Sequence, residues 1–226
     1  MSNIVFISAS PKMNCEESSS SLLAQMAGNV LKGPGITHTF IDVRQSITRN
    51  RTHKDFESLA KADAVIIVFP LYIFCLPGIL MRFLEDYSHY DVEHNNSRSP
   101  KIYAVVNCGF PEPGINLEAV RVIKSFSRHI HAHFRFGILI GGGGMLLEAK
   151  DASFMKKNFC HLNQAFSKIS QDLQKDSLET ADNINIRMNV PRWLYLFMGN
   201  LSWLFLARKN GLKKRDLYRK PYKPGA

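Results

Sequence analysis

The chain has 226 residues, 45% of them hydrophobic and 21% charged, a composition that suits one globular α/β domain with a short appendage. The four cysteines are widely spaced without a C-x-x-C motif, and the first ten residues resemble a strand rather than a secretory signal. This pattern argues against a disulfide framework and against secretion. We therefore expect reduced thiols and a cytoplasmic protein.

The net charge of +10 is concentrated at the carboxyl end of the chain. Residues 187–226 contain ten Lys and Arg residues and the single acid Asp216, a net charge of +9, whereas residues 1–186 sum to +1. A nearly neutral body does not favour nucleic acid, so we predict no nucleic-acid partner. A basic end indicates a local partner or an anionic surface.

Strand-like and helix-like patterns alternate along the first 174 residues. Short apolar runs predict strands over 3–10, 37–43, 63–72, 101–110 and 134–145. Apolar residues three and four apart predict helices over 20–32, 53–62, 77–90, 116–133 and 152–174, with Asn116 as a candidate N-cap. Fivefold alternation predicts a doubly wound α/β fold, a five-stranded parallel sheet with helices on both faces. We expect this domain to occupy residues 1–180, followed by a helical extension over 181–226.

Ligands of such sheets bind outside the carboxyl ends of the strands, which directs attention to four loops. The first loop, "SASPKMNCEESSSS", leads into a helix and has either of two roles: a plain N-cap, or a phosphate site at the helix start. No G-x-G-x-x-G or Walker motif occurs there, which disfavours a Rossmann dinucleotide fold and a P-loop NTPase. The candidate phosphate ligands are Ser8, Ser10, Lys12, Ser18, Ser19, Ser20 and Ser21.

The other three loops combine apolar residues with glycines. In "FPLYIFCLPG" large apolar side chains follow a proline outside the sheet, so they need a cover: a flat ring, the core or a second subunit. In "NCGFPEPG" and "IGGGGM" glycines permit close backbone approach, for a ligand or simply for a turn. The candidate residues of these loops are Pro70, Leu71, Tyr72, Ile73, Phe74, Asn107, Cys108, Gly109, Phe110, Gly142 and Gly143.

A run of histidines, "RHIHAHF", is a weak candidate for a metal site. Residues two apart on a helix do not share a face, so only His129 and His133 would converge. Neither has a carboxylate or thiol in register. We therefore predict no metal.

The order of these motifs resembles the flavodoxin-like NAD(P)H-dependent FMN reductases. The resemblance covers residues 3–175 and is strongest in "FPLYIFCLPGILMRFLED" and "VVNCGFPEPGINLEAVRVI". It implies strand order 2-1-3-4-5, FMN at the four loops, hydride transfer from NAD(P)H, and a small electron acceptor such as a flavin or quinone. The first loop departs from the family's usual Gly-Ser-Pro-Arg and Gly-Asn-Ser/Thr pattern, since it reads Ala9-Ser10-Pro11-Lys12. Two alternatives are an electron-transfer flavodoxin and a flavin-free binding protein on the same fold.

The carboxyl-terminal extension contains an apolar stretch, residues 193–207, followed by basic residues. The stretch is shorter than the roughly twenty residues that span a bilayer. Gly199 and Asn200 interrupt it, which favours a helix that packs on the core or completes a homodimer. The second interpretation is peripheral membrane contact through residues 193–223, because Trp193 and Trp203 precede the basic cluster.

Overall fold

The computed structural model describes residues 2–10, 18–188 and 190–219, the side chains of Glu148 and Phe154 excepted. The described residues form one six-stranded sheet in which every neighbouring pair is parallel, with strand order β2-β1-β3-β4-β5-β6. The strands are β1 (Ser2–Ser8), β2 (Ile36–Asp42), β3 (Ala64–Pro70), β4 (Lys101–Asn107), β5 (His133–Ile140) and β6 (Ile184–Ile186).

Helices connect the strands and cover both faces of the sheet. Those described are α1 (Ser19–Val30), α2 (Val43–Thr48), α3 (Thr52–Ala60), α4 (Gly78–Glu93), α5 (Leu117–His129), α6 (Met145–Glu148), α7 (Lys156–Leu173) and α8 (Arg192–Lys209). Short 3₁₀ turns cover Pro113–Asn116, Ser153–Met155 and Lys214–Tyr218. None of the described helices is both long and apolar enough to cross a membrane.

Two hydrophobic clusters fill the space between the sheet and its helices. Alternate strand residues such as Ile67 and Ala104 pack with α3, α4 and α5, while Ile66 and Val105 pack with α1 and α7 on the opposite face. Residues Ala64–Phe69 of β3 are buried on both sides, which explains their uninterrupted apolar sequence. The doubly wound fold predicted from the sequence is confirmed.

The sheet has a sixth strand that the sequence pattern did not indicate. Residues Ile184–Ile186 extend the sheet beside β5, in register with Ile138–Ile140. A three-residue strand is too short to show a period-2 pattern. The first compact unit accordingly runs to Asn189 and the second spans Val190–Ala226, whereas the sequence placed that boundary at residue 180.

The fourth predicted helix is shorter than its pattern indicated. It ends at His129, His131 adopts φ 53°, and His133 begins β5. His129 and His133 therefore do not share a helical face. Among the described residues, no group of three His, Cys, Asp or Glu side chains is arranged to hold a metal ion.

A buried ion pair joins the last strands to α7. Arg135 donates from Nε and Nη2 to the two carboxylate oxygens of Asp172, each at 2.8 Å. The Tyr103 hydroxyl donates to the same carboxylate at 2.7 Å. Arg135 also donates to the Glu179 carbonyl. Burial alone would raise the pKa of Asp172, but the hydrogen bonds from Arg135 and Tyr103 outweigh it and leave the pKa lowered.

We predict that Asp172→Ala lowers the free energy of unfolding by about 3–5 kcal/mol, because it leaves the Arg135 charge buried without a partner. The control is Asp86→Ala, which removes an exposed ion pair with Arg82 (3.6 Å) and costs less than about 1 kcal/mol. Urea denaturation of both variants measures the difference. Equal losses in the two variants would contradict this assignment.

The same pair predicts a pH dependence. Since the pKa of Asp172 is lowered by folding, its contribution to stability is complete above the unfolded pKa of about 3.9 and is lost as the pH falls through the folded pKa. The stability gap between the wild-type protein and Asp172→Ala should stay constant from neutral pH down to about pH 5 and shrink below about pH 4. Denaturation at a series of pH values tests this, and a gap that widens in acid would refute it.

Candidate functional site

The sheet order places the topological switch point between β1 and β3. From β1 the chain moves outward to β2 and then returns to β3 on the other side of β1. The carboxyl ends of β1, β3, β4 and β5 meet at this edge, and a crevice outside such a reversal is where open α/β sheets bind ligands. The four loops singled out in the sequence all begin there.

The start of α1 combines an N-cap with backbone donors that have no partner within the helix. The Ser18 hydroxyl oxygen accepts the Ser21 N–H at 3.0 Å, so Ser18 caps the helix as the plainer of the two interpretations expected. The N–H groups of Ser19 and Ser20 have no carbonyl four residues earlier inside the helix to bond. The cap and a phosphate site are therefore compatible at this helix start.

The two serines that follow the cap tie α1 to the other loops. The Ser19 hydroxyl donates to the Gly143 carbonyl at 3.1 Å, and the Asn107 side-chain amide donates to Ser20 Oγ at 3.4 Å and to the Phe69 carbonyl at 3.3 Å. Three of the four predicted loops thus meet at Asn107. Ser8 is the last residue of β1, and Ser10 follows two residues later. Ser10 is buried, and Ser8 Oγ has no hydrogen-bond partner among the described residues. Lys12 lies outside the described residues.

The loop after β3 is a tight two-residue turn. Tyr72 and Cys75 exchange both backbone hydrogen bonds at 2.9 Å, and the residues between them, Ile73 and Phe74, have φ angles of 47° and 61°. Positive φ at both central positions is the pattern of a primed hairpin turn, usually made by Asn and Gly. For a β-branched residue such as Ile73 it is strained by about 1–3 kcal/mol.

The strained turn presents apolar side chains to solvent. Ile73 is 93% exposed, and Tyr72 and Phe74 are about half exposed. The Phe74 ring is nearly parallel to that of Phe110 in the loop after β4, with centroids 6.2 Å apart. A third ring between two aromatic faces needs about 7 Å, so a planar ligand fits against this pair rather than between its rings. Strain of this kind is typical of ligand-binding sites.

The loops after β4 and β5 pack backbone to backbone. Gly142 N–H donates to the Phe110 carbonyl and Gly143 N–H to the Cys108 carbonyl, both at 2.7 Å, while Cys108 N–H donates to Ile140. A side chain at Gly141 would place its Cβ 2.4 Å from the Pro111 carbonyl oxygen. These amide groups are occupied within the protein, so a ligand that touches Cys108, Gly142 or Gly143 would meet atoms other than their N–H groups. Gly109 lies at the tip of the same loop.

The Cys108 thiol is poorly suited to redox chemistry. It is buried, and burial raises the pKa of the Cys108 thiol above its ordinary value. The sulfur lies 3.5 Å from the Phe110 carbonyl oxygen, to which the thiol donates. A thiol that stays protonated at neutral pH is a weak nucleophile, so its place here is structural.

Asn116 has a position in this site that the sequence did not predict. It directly precedes α5, as expected of an N-cap, but its side chain makes no capping hydrogen bond. A 3₁₀ turn, Pro113–Asn116, already leads into the helix, and the fully buried amide donates instead to the Ile140 carbonyl at 3.2 Å. Asn116 thereby fixes the end of β5 next to the glycines. Its local sequence signal was identical to that of an ordinary cap.

The residues of this edge fit FMN in two respects. The N–H groups at the start of α1, which have no partner within the helix, suit a phosphate, and the exposed apolar face of Tyr72, Ile73 and Phe74 suits a flat ring. Leu71 links the two regions, since its N–H donates to the Asn107 carbonyl at 2.8 Å. Pro70, the last residue of β3, is paired with Asn107 in the sheet.

Comparison with known proteins agrees with this geometry. The sequence model of a family described as having a flavodoxin-like fold matches residues 2–112. No curated protein matches the chain. The flavodoxin-like fold that the resemblance implied is confirmed.

Several solved structures have the same fold. An oxidoreductase from Corynebacterium diphtheriae (12% identity, TM-score 0.59) matches 76% of this chain and 94% of its own. An NAD(P)H:quinone oxidoreductase from Methanothermobacter marburgensis (14%, TM-score 0.57) matches 78% and 98%. The general stress protein 14 of Treponema denticola, solved in complex with FMN (13%, TM-score 0.53), matches 77% and 100%. At these identities the likeness establishes the fold.

We predict that Gly141→Ala lowers the free energy of unfolding by about 1–3 kcal/mol, because its methyl group collides with the Pro111 backbone and separates the two loops. The matched control is Gly144→Ala, where an added Cβ meets nothing within 4 Å and the change stays within about 0.5 kcal/mol. Thermal unfolding of the two variants compares them. If Gly144→Ala proved as damaging as Gly141→Ala, the close approach would not be the cause.

Proposed function

We propose that this protein is an FMN-dependent oxidoreductase that accepts hydride from NAD(P)H and passes electrons to a small acceptor such as a flavin or quinone. The observation that carries the proposal is the meeting of two unlike surfaces at one sheet edge. The helix start, whose first N–H groups have no partner within the helix, is linked to β3 through Asn107, whose side-chain amide donates to Ser20 Oγ and to the Phe69 carbonyl. β3 leads directly into the exposed apolar turn.

The names of structurally similar proteins support this class of activity. They include an NADH:FMN oxidoreductase, azoreductases and a quinone oxidoreductase, with identities of 14–18%. They differ in acceptor, as expected when one fold serves many substrates and the site decides between them. We therefore propose FMN as the cofactor and a nicotinamide as the donor, and define the acceptor only by class, as a small, flat oxidant. A nicotinamide donor and free Cys75, Cys108 and Cys160 thiols fit a cytoplasmic enzyme.

When bound, FMN would supply the hydride chemistry, accepting two electrons at its ring and releasing them to the acceptor. The protein has three tasks. The backbone N–H groups of Ser19 and Ser20 hold the phosphate, assisted by the positive end of the α1 dipole. Tyr72, Ile73 and Phe74 cover one apolar ring face and exclude water from it. Asn107, held by Ser20 and the Phe69 carbonyl, fixes the distance between the phosphate region and the ring region.

The first prediction concerns cofactor binding. The purified protein should bind FMN, and should bind riboflavin roughly a hundredfold more weakly, because riboflavin lacks the phosphate that two charge-assisted hydrogen bonds would hold. Quenching of flavin fluorescence measures both affinities, and NADH or NADPH should then bleach the bound flavin in stopped flow. A protein that leaves FMN fluorescence unchanged would exclude the proposal, and a flavin that binds but is not bleached would favour an electron carrier.

The second prediction separates strain from ring contact. Phe74→Asn places a residue that tolerates positive φ at the turn, so the free energy of unfolding should hold or rise by about 0.5–1 kcal/mol. The lost aromatic contact should weaken FMN binding roughly tenfold. Val92→Asn is the control, since Val92 is also exposed but lies at the far end of α4, near the opposite edge of the sheet. Unchanged FMN affinity in Phe74→Asn would remove this turn from the site.

A further inference from the structure

The second compact unit contains an exposed helix that is apolar on every side. Between Arg192 and Arg208, α8 carries no charged residue. Trp193 is 70% exposed, Trp203 66% and Phe205 69%. Further exposed apolar side chains lie around the same helix at Leu196, Phe197, Met198, Leu201 and Leu206. A helix without a polar face is ordinarily enclosed by protein or lipid.

A defined helix stop places cations directly after this apolar surface. Leu212 N–H donates to the Ala207 carbonyl at 2.8 Å and Gly211 N–H to Arg208 at 3.0 Å, with Gly211 at φ 73°. This is the Schellman motif, in which the glycine adopts a left-handed conformation and turns the chain. The basic segment that follows, residues 208–219, has exposed cations at Arg208, Lys209, Lys213, Lys214 and Arg215.

Acidic partners for this charge are scarce within residues 187–226. Asp216 is the single acid of residues 187–226, and it is already paired with Arg219 at 3.0 Å. The remainder of the chain has a net charge of +1, so a second copy carries no net negative charge to attract the basic segment. Charge complementarity therefore points to an anionic surface outside this protein.

The shape of the apolar surface points the same way. A second protein copy would cover only the side of α8 that faces it, whereas mobile acyl chains also fill in along the flanks of a helix that lies in the interface. The apolar stretch is about 22 Å long at 1.5 Å per residue, compared with about 30 Å for the hydrocarbon core of a bilayer. Trp193 and Trp203 on this stretch suit the headgroup boundary, where such residues concentrate.

We propose that α8 and the basic segment form a peripheral anchor that binds anionic phospholipid membranes. α8 lies in the interface with its apolar side chains among the outer parts of the acyl chains, and the basic segment contacts the lipid phosphates. This binding needs no flavin and is independent of the function proposed above. For a reductase it would bring the protein to a surface where lipid-soluble oxidants concentrate.

The protein contains its own probe for the test. Both tryptophans of the chain lie on α8, so intrinsic tryptophan fluorescence reports on this helix alone. Full-length protein is mixed with vesicles of phosphatidylcholine, or of equal parts phosphatidylcholine and phosphatidylglycerol. We expect a blue shift of the emission and co-sedimentation with the anionic vesicles, and neither with phosphatidylcholine alone.

Two pairs of variants measure the apolar and the electrostatic contributions to vesicle binding separately. Phe205→Glu should weaken binding to anionic vesicles at least tenfold, while Val92→Glu, an equally exposed site with the same charge change, leaves it unchanged. Replacing Lys213, Lys214 and Arg215 with Gln should weaken it about a hundredfold. The same change at three exposed cations of the first unit, Arg49, Lys54 and Lys61, should alter it less than about twofold.

Two outcomes would overturn the proposal. Binding that falls equally with both sets of Gln substitutions would show general attraction by net charge rather than an anchor. Emission that is already blue-shifted without vesicles, together with a dimer in sedimentation that Phe205→Glu dissociates, would show that a second copy covers α8. Circular dichroism of each variant checks that it is folded before binding is compared.

Discussion

Burial of the parallel sheet on both faces is the constraint from which the rest of the first unit follows. β3 and β4 are enclosed by two separate apolar clusters, so helices must return over each face between successive strands. That winding sends every strand-to-helix loop to one edge of the sheet. The residues of the site are therefore collected by topology, although they come from chain positions as far apart as Ser19 and Gly143.

The site differs from the core in how its geometry is maintained. Its loops are held by backbone hydrogen bonds to one another, such as Gly142 to Phe110, and by the amides of Asn107 and Asn116. This scaffold is stiff enough to keep Ile73 and Phe74 at positive φ without glycine. Local strain of this kind is stabilised by the surrounding structure, and it holds large apolar side chains in water until something covers them.

The sequence predicted the fold well because its signals were long. Five apolar strand segments and five segments with helical spacing each left a recognisable pattern, and their order carried the resemblance to flavodoxin-like reductases. The elements that the sequence did not predict were short or lacked a pattern: β6 has three residues, and α2 follows β2 without a break. The ends of elements were also less certain, as the early end of α5 at His129 demonstrates.

The site was predictable as a set of loops but not as a set of contacts. Proline, serine and glycine runs after strands marked where the loops lie, and the described parts of all four lie at one edge. The hydrogen bonds made by these loops could not be predicted from the sequence. Ser18 acts as a cap, the Gly142 and Gly143 N–H groups donate to protein carbonyls, and the Asn116 amide donates to the Ile140 carbonyl. Each of these outcomes depends on atoms brought from other loops, which no local pattern encodes.

The short strand β6 also bears on how the edge of the hydrophobic strand β5 is protected. It covers the outer side of β5, whose residues Ile138–Ile140 are apolar, and Asn183 and Ile186 occupy the Gly137 and Gly141 amides on either side. A fragment that stopped before these residues would display an open row of donors and acceptors on a hydrophobic strand, a template for stacking with other copies. Shortened versions of this chain should therefore retain the residues through Met188 to remain dispersed in solution.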